Sequence, residues 1–164
     1  MNDRVARMFH EAQDRLHDAD ILAASLDRRS DSQEIVRILG FEILLKCALL
    51  HSGQEPKNSH NYKKIWFGLP GYVQKKVLEI AEATMPGHAD LTKLEEKLGW
   101  WQFVFERARY HYELYENYTL KEQTELGELW VAIGAPSHEA VVQYFPIELK
   151  CLIAGLNNYI KSAA

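Results

Sequence analysis

Two stretches of this sequence set ionisable side chains into otherwise apolar helical runs. They are Gly40-Phe41-Glu42-Ile43-Leu44-Leu45-Lys46-Cys47-Ala48-Leu49-Leu50 and Phe105-Glu106-Arg107-Ala108-Arg109-Tyr110-His111-Tyr112-Glu113. Charge in such a setting has to be paired or put to use, because burial strips an ion of its hydration. Glu42 and Lys46 stand four apart and so share a helix face, and Arg107 and His111 have the same spacing. Where the two helices pack together, these groups meet in one polar pocket. Each pair also has a purely structural reading. Glu42 with Lys46, and Arg109 with Glu113, form ordinary helix salt bridges worth about 0.3–0.5 kcal/mol when exposed. Arg107 then binds the Glu42 carboxylate between helices, and His111 is a core-edge histidine bonded to a carbonyl.

The elements that must position these residues are all helical. Val5, Met8, Phe9, Ala12, Leu16, Ala19, Leu22 and Leu26 repeat every three to four residues from about 2 to 26. Ser30 and Gln33 fit a capping box opening a helix to about Ser52. That helix is apolar around most of its circumference and belongs at the centre of a bundle; Gly53 ends it. A short helix runs from His60 to about Gly68, and Pro70 opens another carrying Val73, Val77 and Ala81. Asp90 begins a long segment reaching about Asn117, in which Gly99 is a point of weakness. Thr119 and Glu122 form a second capping box, for a helix to about Ile133. A last helix follows Pro136 and Ser137, with Pro146 breaking its first part. Trp100, Trp101, Tyr110, Tyr112, Tyr115 and Tyr118 are expected to fill the core or a dimer seam. No strand alternation, repeat or low-complexity tract interrupts the pattern, so the fold class is all-α.

Taken in order, three landmarks resemble the HEPN family, the higher-eukaryote and prokaryote nucleotide-binding helical domain. The run Gly40 to Leu50 is similar to its E-x-x-L-K-A-L-L helix. His51-Ser52-Gly53, with His60-Asn61-Tyr62-Lys63-Lys64-Ile65-Trp66, is similar to its glycine turn and H-D-L-x-x-L helix start. Arg107-Ala108-Arg109-Tyr110-His111-Tyr112-Glu113 is like its R-Y-x-Y-E ending. The resemblance covers about 10–118. It implies one domain over 1–164: an up-and-down helical bundle, often dimeric, with additional C-terminal helices at about 119–162.

The resemblance also implies function. Many members are metal-independent ribonucleases in which an Arg stabilises the charged transition state and a His moves protons. Others are silent RNA-binding or interaction domains of defence and toxin–antitoxin systems. On the ribonuclease reading Arg107 and His111 are catalytic, Arg109 and Lys46 hold RNA phosphate, and Glu42 orients them. Active members place four to six residues between Arg and His, whereas three separate Arg107 from His111. Arg4 and His10 have the family spacing but point to different faces of the first helix. The expected function is therefore a catalytically silent dimeric interaction or RNA-binding module, with an antitoxin or defence component as protein partner. The alternatives are the ribonuclease and an unrelated structural bundle.

Composition bounds the rest. A net charge of −4 argues against broad electrostatic capture of nucleic acid. The seven histidines and two cysteines show no zinc spacing, no glycine-rich phosphate loop is present, and neither a metal nor another cofactor is called for. Cys47 and Cys151 read as free buried thiols. No apolar run reaches the roughly 18 residues of a membrane span, and the start lacks a signal-peptide core, so the expected location is cytoplasmic.

Overall fold

A computed structural model describes residues 2–25 and 31–162. The helices run α1 (Asp3–Ser25), α2 (Ser32–His51), α3 (Tyr62–Gly68), α4 (Gly71–Thr84), α5 (Leu94–Glu106), α6 (Leu120–Ala132) and α7 (Pro146–Ser162). A 3₁₀ segment, Ala108–Tyr115, follows α5, and a 3₁₀ turn, Ser137–Glu139, follows α6. There is no strand among the described residues, and none of their helices is long and apolar enough to cross a membrane.

The bundle is organised around α2. Its buried residues, including Ile38, Phe41, Leu44, Leu45, Cys47 and Ala48, face in several directions, so it needs neighbours on more than one side. α1 lies along it, inserting Val5, Phe9, Ala12, Leu16 and Ala19 at helical spacing. At their crossing a side chain on Gly40 would meet Leu16 at 3.0 Å, so the missing Cβ sets how closely the two axes approach. α3, α5 and α7 cover other parts of α2, and α4 packs on α7. Gly53, at φ +87°, turns the chain out of α2 in a left-handed conformation that glycine adopts without steric cost.

Several boundaries differ from the sequence reading. The segment expected to stay helical from 90 to 117 is α-helical only from Leu94 to Glu106. Arg107 leaves the helical region at φ −121°, ψ −54°, and Tyr110 breaks the 3₁₀ segment at φ −104°, ψ 59°. Gly99 lies inside α5 without ending it. The short helix begins at Tyr62 rather than His60, capped by the Asn61 side chain, which accepts from Lys64 N at 2.9 Å. Pro146 opens α7 instead of breaking it, since the first turn needs no proline N–H. The Thr119–Glu122 capping box is present. The Ser30–Gln33 box involves a residue outside the described ones, and the Asp31 side chain makes no cap bond to α2.

The resemblance stops near residue 118, but the core does not. α7 buries Leu149, Cys151, Leu152, Leu156, Tyr159 and Ile160. Between them, residues 109–148 contribute no buried side chain at all. α6 in particular buries no residue, with Leu120 at 83% exposed and Gln123 and Trp130 half-buried. Tyr110, Tyr112 and Tyr118 are exposed rather than in the core, while Trp101 is fully buried. This 109–148 excursion is an arm on the bundle. Its far end is held by Trp101 Nε1, which donates to Tyr144 O at 2.7 Å. Lys97 also reaches that end: it is 4% exposed, with Nζ 3.8 Å from Asp90 and 5.3 Å from the Phe145 ring.

Two glycines should respond oppositely to substitution. An alanine Cβ at Gly155 would collide with the backbone carbonyl of Val77, where α4 and α7 touch. Gly155→Ala is expected to lose about 1–3 kcal/mol in denaturant unfolding, as overpacked cores do. Gly127→Ala on α6 meets nothing within 4 Å and should gain about 0.5–1 kcal/mol. A Gly155→Ala protein as stable as the parent would refute the tight α4–α7 contact.

Candidate functional site

Glu42 is the buried carboxylate of the bundle, 4% exposed on the middle of α2. One turn later, Lys46 Nζ lies 2.6 Å from Glu42 Oε1. The loop before α3 brings two more groups. His60 Nδ1 is 3.1 Å from Oε1 and 2.9 Å from Oε2, and the Tyr62 hydroxyl donates to Oε2 at 3.0 Å. A carboxylate only accepts, so this geometry places a proton on His60 Nδ1. Ser59 Oγ accepts from Asn61 N at 3.1 Å, and the Asn61 cap starts α3, which fixes the spacing of His60 and Tyr62.

The surroundings are aromatic. Tyr62 is fully buried, edge-on to Phe41 at 5.8 Å, and Phe41 in turn meets Trp101 at 5.2 Å. The cluster therefore ties α2 to α3 directly and to α5 through stacked rings. On the solvent side the half-exposed His60 lies 5.1 Å from the Phe105 ring. The Arg109 guanidinium sits 5.4 Å from that same ring and 4.9 Å from Tyr110. Tyr110 meets Tyr112 at 6.4 Å. His60, Phe105, Arg109, Tyr110 and Tyr112 thus form a ladder of rings and one guanidinium along the surface.

Of the residues picked out by sequence, Glu42 and Lys46 pair as expected. Arg107 and His111 do not share a helix face, because the helix ends between Glu106 and Arg107 and the chain kinks at Tyr110. The Arg107 guanidinium makes no hydrogen bond or ion pair with a described residue, and Glu42 is bound by Lys46, His60 and Tyr62 in its place. His111 is exposed and lies 5.2 Å from the Tyr115 ring, at the groove beside α6. Arg109 stacks on rings instead of pairing with Glu113, which accepts from the Tyr112 hydroxyl at 3.2 Å. His60, expected only to open the short helix, and Tyr62 are the partners that the sequence reading does not assign to Glu42. The available signal was a lone glutamate in an apolar helix, followed by a His-x-Tyr at the next helix start.

Chemically the Glu42 cluster is a lock. Both oxygens are occupied, one by an ammonium and an imidazole, the other by an imidazole and a phenol, leaving Glu42 ill-placed to take a proton from a ligand. Among the described residues no three His, Cys, Asp or Glu side chains gather as a metal ion requires. Cys47 and Cys151 are free and buried, and burial pushes the Cys47 thiol up to about 11, away from nucleophilic chemistry. Compared with known proteins, the chain matches no family model, no curated protein and no solved structure.

Removing the carboxylate strands its partners. Glu42→Ala should cost about 3–5 kcal/mol in urea unfolding, the usual penalty for breaking a buried pair. Glu42→Gln, which keeps two acceptor or donor positions, should lose less; equal losses would mean that charge accounts for the whole effect and that size and hydrogen bonding add nothing. The pH dependence has a definite sign. Tyr62 is pushed far above the ordinary tyrosine value by burial and then by the Glu42 charge, and Tyr159 up to about 12, mainly by burial. With Cys47, these groups keep protons in the folded state that the unfolded chain releases. Their stabilisation is whole below the unfolded values of about 8.5 for Cys and about 10 for Tyr, and drains away above them. Unfolding free energy measured from pH 8 to 12 should fall from about pH 9, less steeply beyond pH 10 in Tyr62→Phe. An unchanged slope in that variant would take Tyr62 out of the account.

Proposed function

We propose that this protein is a catalytically silent, HEPN-like module that binds single-stranded RNA as a homodimer paired through its long helices. The observation that carries the reading is Arg109. Its guanidinium lies 5.4 Å from the Phe105 ring centroid and 4.9 Å from that of Tyr110 and pairs with no carboxylate among the described residues. A cation held beside rings keeps its charge for phosphate. Tyr110 and Tyr112 continue the platform, the latter 73% exposed. Stacked rings with interleaved guanidinium are how single strands are held without reading sequence. Arg107, beside this ladder, is free to contact the backbone of the strand.

Silence is supported by what is kept apart. Cleavage by an Arg–His pair needs both groups at one phosphate, and Arg107 and His111 lie on either side of the Tyr110 kink. The Glu42 carboxylate is committed to the lock. The overall charge of −4 fits binding confined to a local patch.

Fluorescence anisotropy with a labelled single-stranded oligonucleotide tests the reading. Arg109→Ala should weaken binding about tenfold, within the range of one lost stacking partner. Arg109→Lys, which keeps the charge and loses the flat face, should recover only part of it. Sedimentation should report two chains. RNA incubated with the protein in EDTA should stay intact; cleavage abolished by His111→Ala would establish the ribonuclease instead. Identical affinity in all three proteins would remove the ladder from RNA binding.

A further inference from the structure

We infer that the arm is a seat for a basic amphipathic helix of another protein. Leu126 and Leu129 of α6 and its C-cap residue Ile133 recur at the i, i+3, i+7 spacing of helix-in-groove contacts. Across from them stand Tyr115 and Tyr118, with Val141 closing one end, around a groove of about 490 Å³. All three α6 anchors are exposed, at 44%, 60% and 54%, and no described element of the chain covers them. A helix with no buried residue lacks most of the packing that normally stabilises one.

Charge decides the occupant. Residues 113–139 carry six glutamates and one lysine, more negative than the whole chain's −4. The bundle without the arm is therefore close to neutral: the acidity of the protein is concentrated on the arm, and Asp31 and Glu139 line the groove itself. A second copy docking arm to arm would bring two such regions together, and like-charge juxtaposition selects against that partner. A helix with leucines on one face and lysines or arginines on its flanks satisfies both the anchors and the acidic arm. The surface is separate from the Arg109 ladder, and so is its test.

Three synthetic 18-residue peptides serve as probes: an amphipathic Leu/Lys helix, its Leu/Glu counterpart, and a Leu/Lys peptide of the same composition with the apolar face scrambled. Titration calorimetry on the full chain should give micromolar binding for the first and at least tenfold weaker binding for the other two. Leu129→Asp should weaken the first by tenfold or more, with helical content and RNA affinity unchanged, so that failure here and failure of the RNA reading are told apart. Leu129 packs nothing in the core, so the variant folds. Equal binding of the scrambled peptide would reduce the seat to bare charge and overturn the inference. So would preference for the Leu/Glu peptide, or a dimer that Leu129→Asp dissociates, which would make a second copy the occupant.

Discussion

A carboxylate placed under packed helices has to be met on both oxygens, and much of this fold can be traced to meeting that demand for Glu42. Lys46 answers from the same helix, a turn away. His60 and Tyr62 answer from the next one, which obliges the loop after α2 to return and α3 to begin where it does. Tyr62 then leans on Phe41, and Phe41 on Trp101, so the position of α5 is coupled to a hydrogen bond made on α2. A well-packed apolar residue in place of such a pair is often as stable or more so. What the buried charge adds here is selection: a register shift of α3 by one residue would take His60 and Tyr62 away from the Glu42 carboxylate.

Helices were legible in the sequence because their causes are local. The three-to-four periodicity of α1, the all-round apolarity of α2, the glycine at 53 and the Thr119–Glu122 box each act within a few residues. Half of the site was legible for the same reason, since Glu42 and Lys46 meet along one helix. His60 and Tyr62 were not, because their partner is 18 and 20 residues away and only the folded bundle brings them to it. The expectation for Arg107 and His111 failed on continuity: a spacing of four means a shared face only while the helix lasts, and it ends between Glu106 and Arg107. The tyrosines were legible only as aromatic mass for the core or a dimer seam; Tyr110, Tyr112 and Tyr118 are exposed, so they do not belong to the core of the bundle.

The two parts of the molecule solve opposite problems. The bundle hides the Glu42 charge and neutralises it internally. The arm displays both charge and apolar surface, and the Arg109 ladder sits where one gives way to the other, with Phe105 on α5 and Tyr110 beyond the helix end. The kink at Tyr110 is thus more than an interruption: it turns the guanidinium onto the rings, where a continued helix would have directed it along its own face.

The arm leaves the bundle after Ala108, at the end of α5, and is fastened on its return to Trp101 of that same helix. Entry and exit are thus neighbours, and no side chain from 109 to 148 is buried, Leu114, Val142, Tyr144 and Phe145 resting half-buried against the core. Such an arrangement uncouples two histories. The excursion is free to lengthen, shorten or exchange its sequence under selection for whatever it meets, while the interior that holds Glu42 drifts only as fast as packing allows. A lineage of such proteins would look like one constant scaffold bearing unrelated appendages at a single point of attachment.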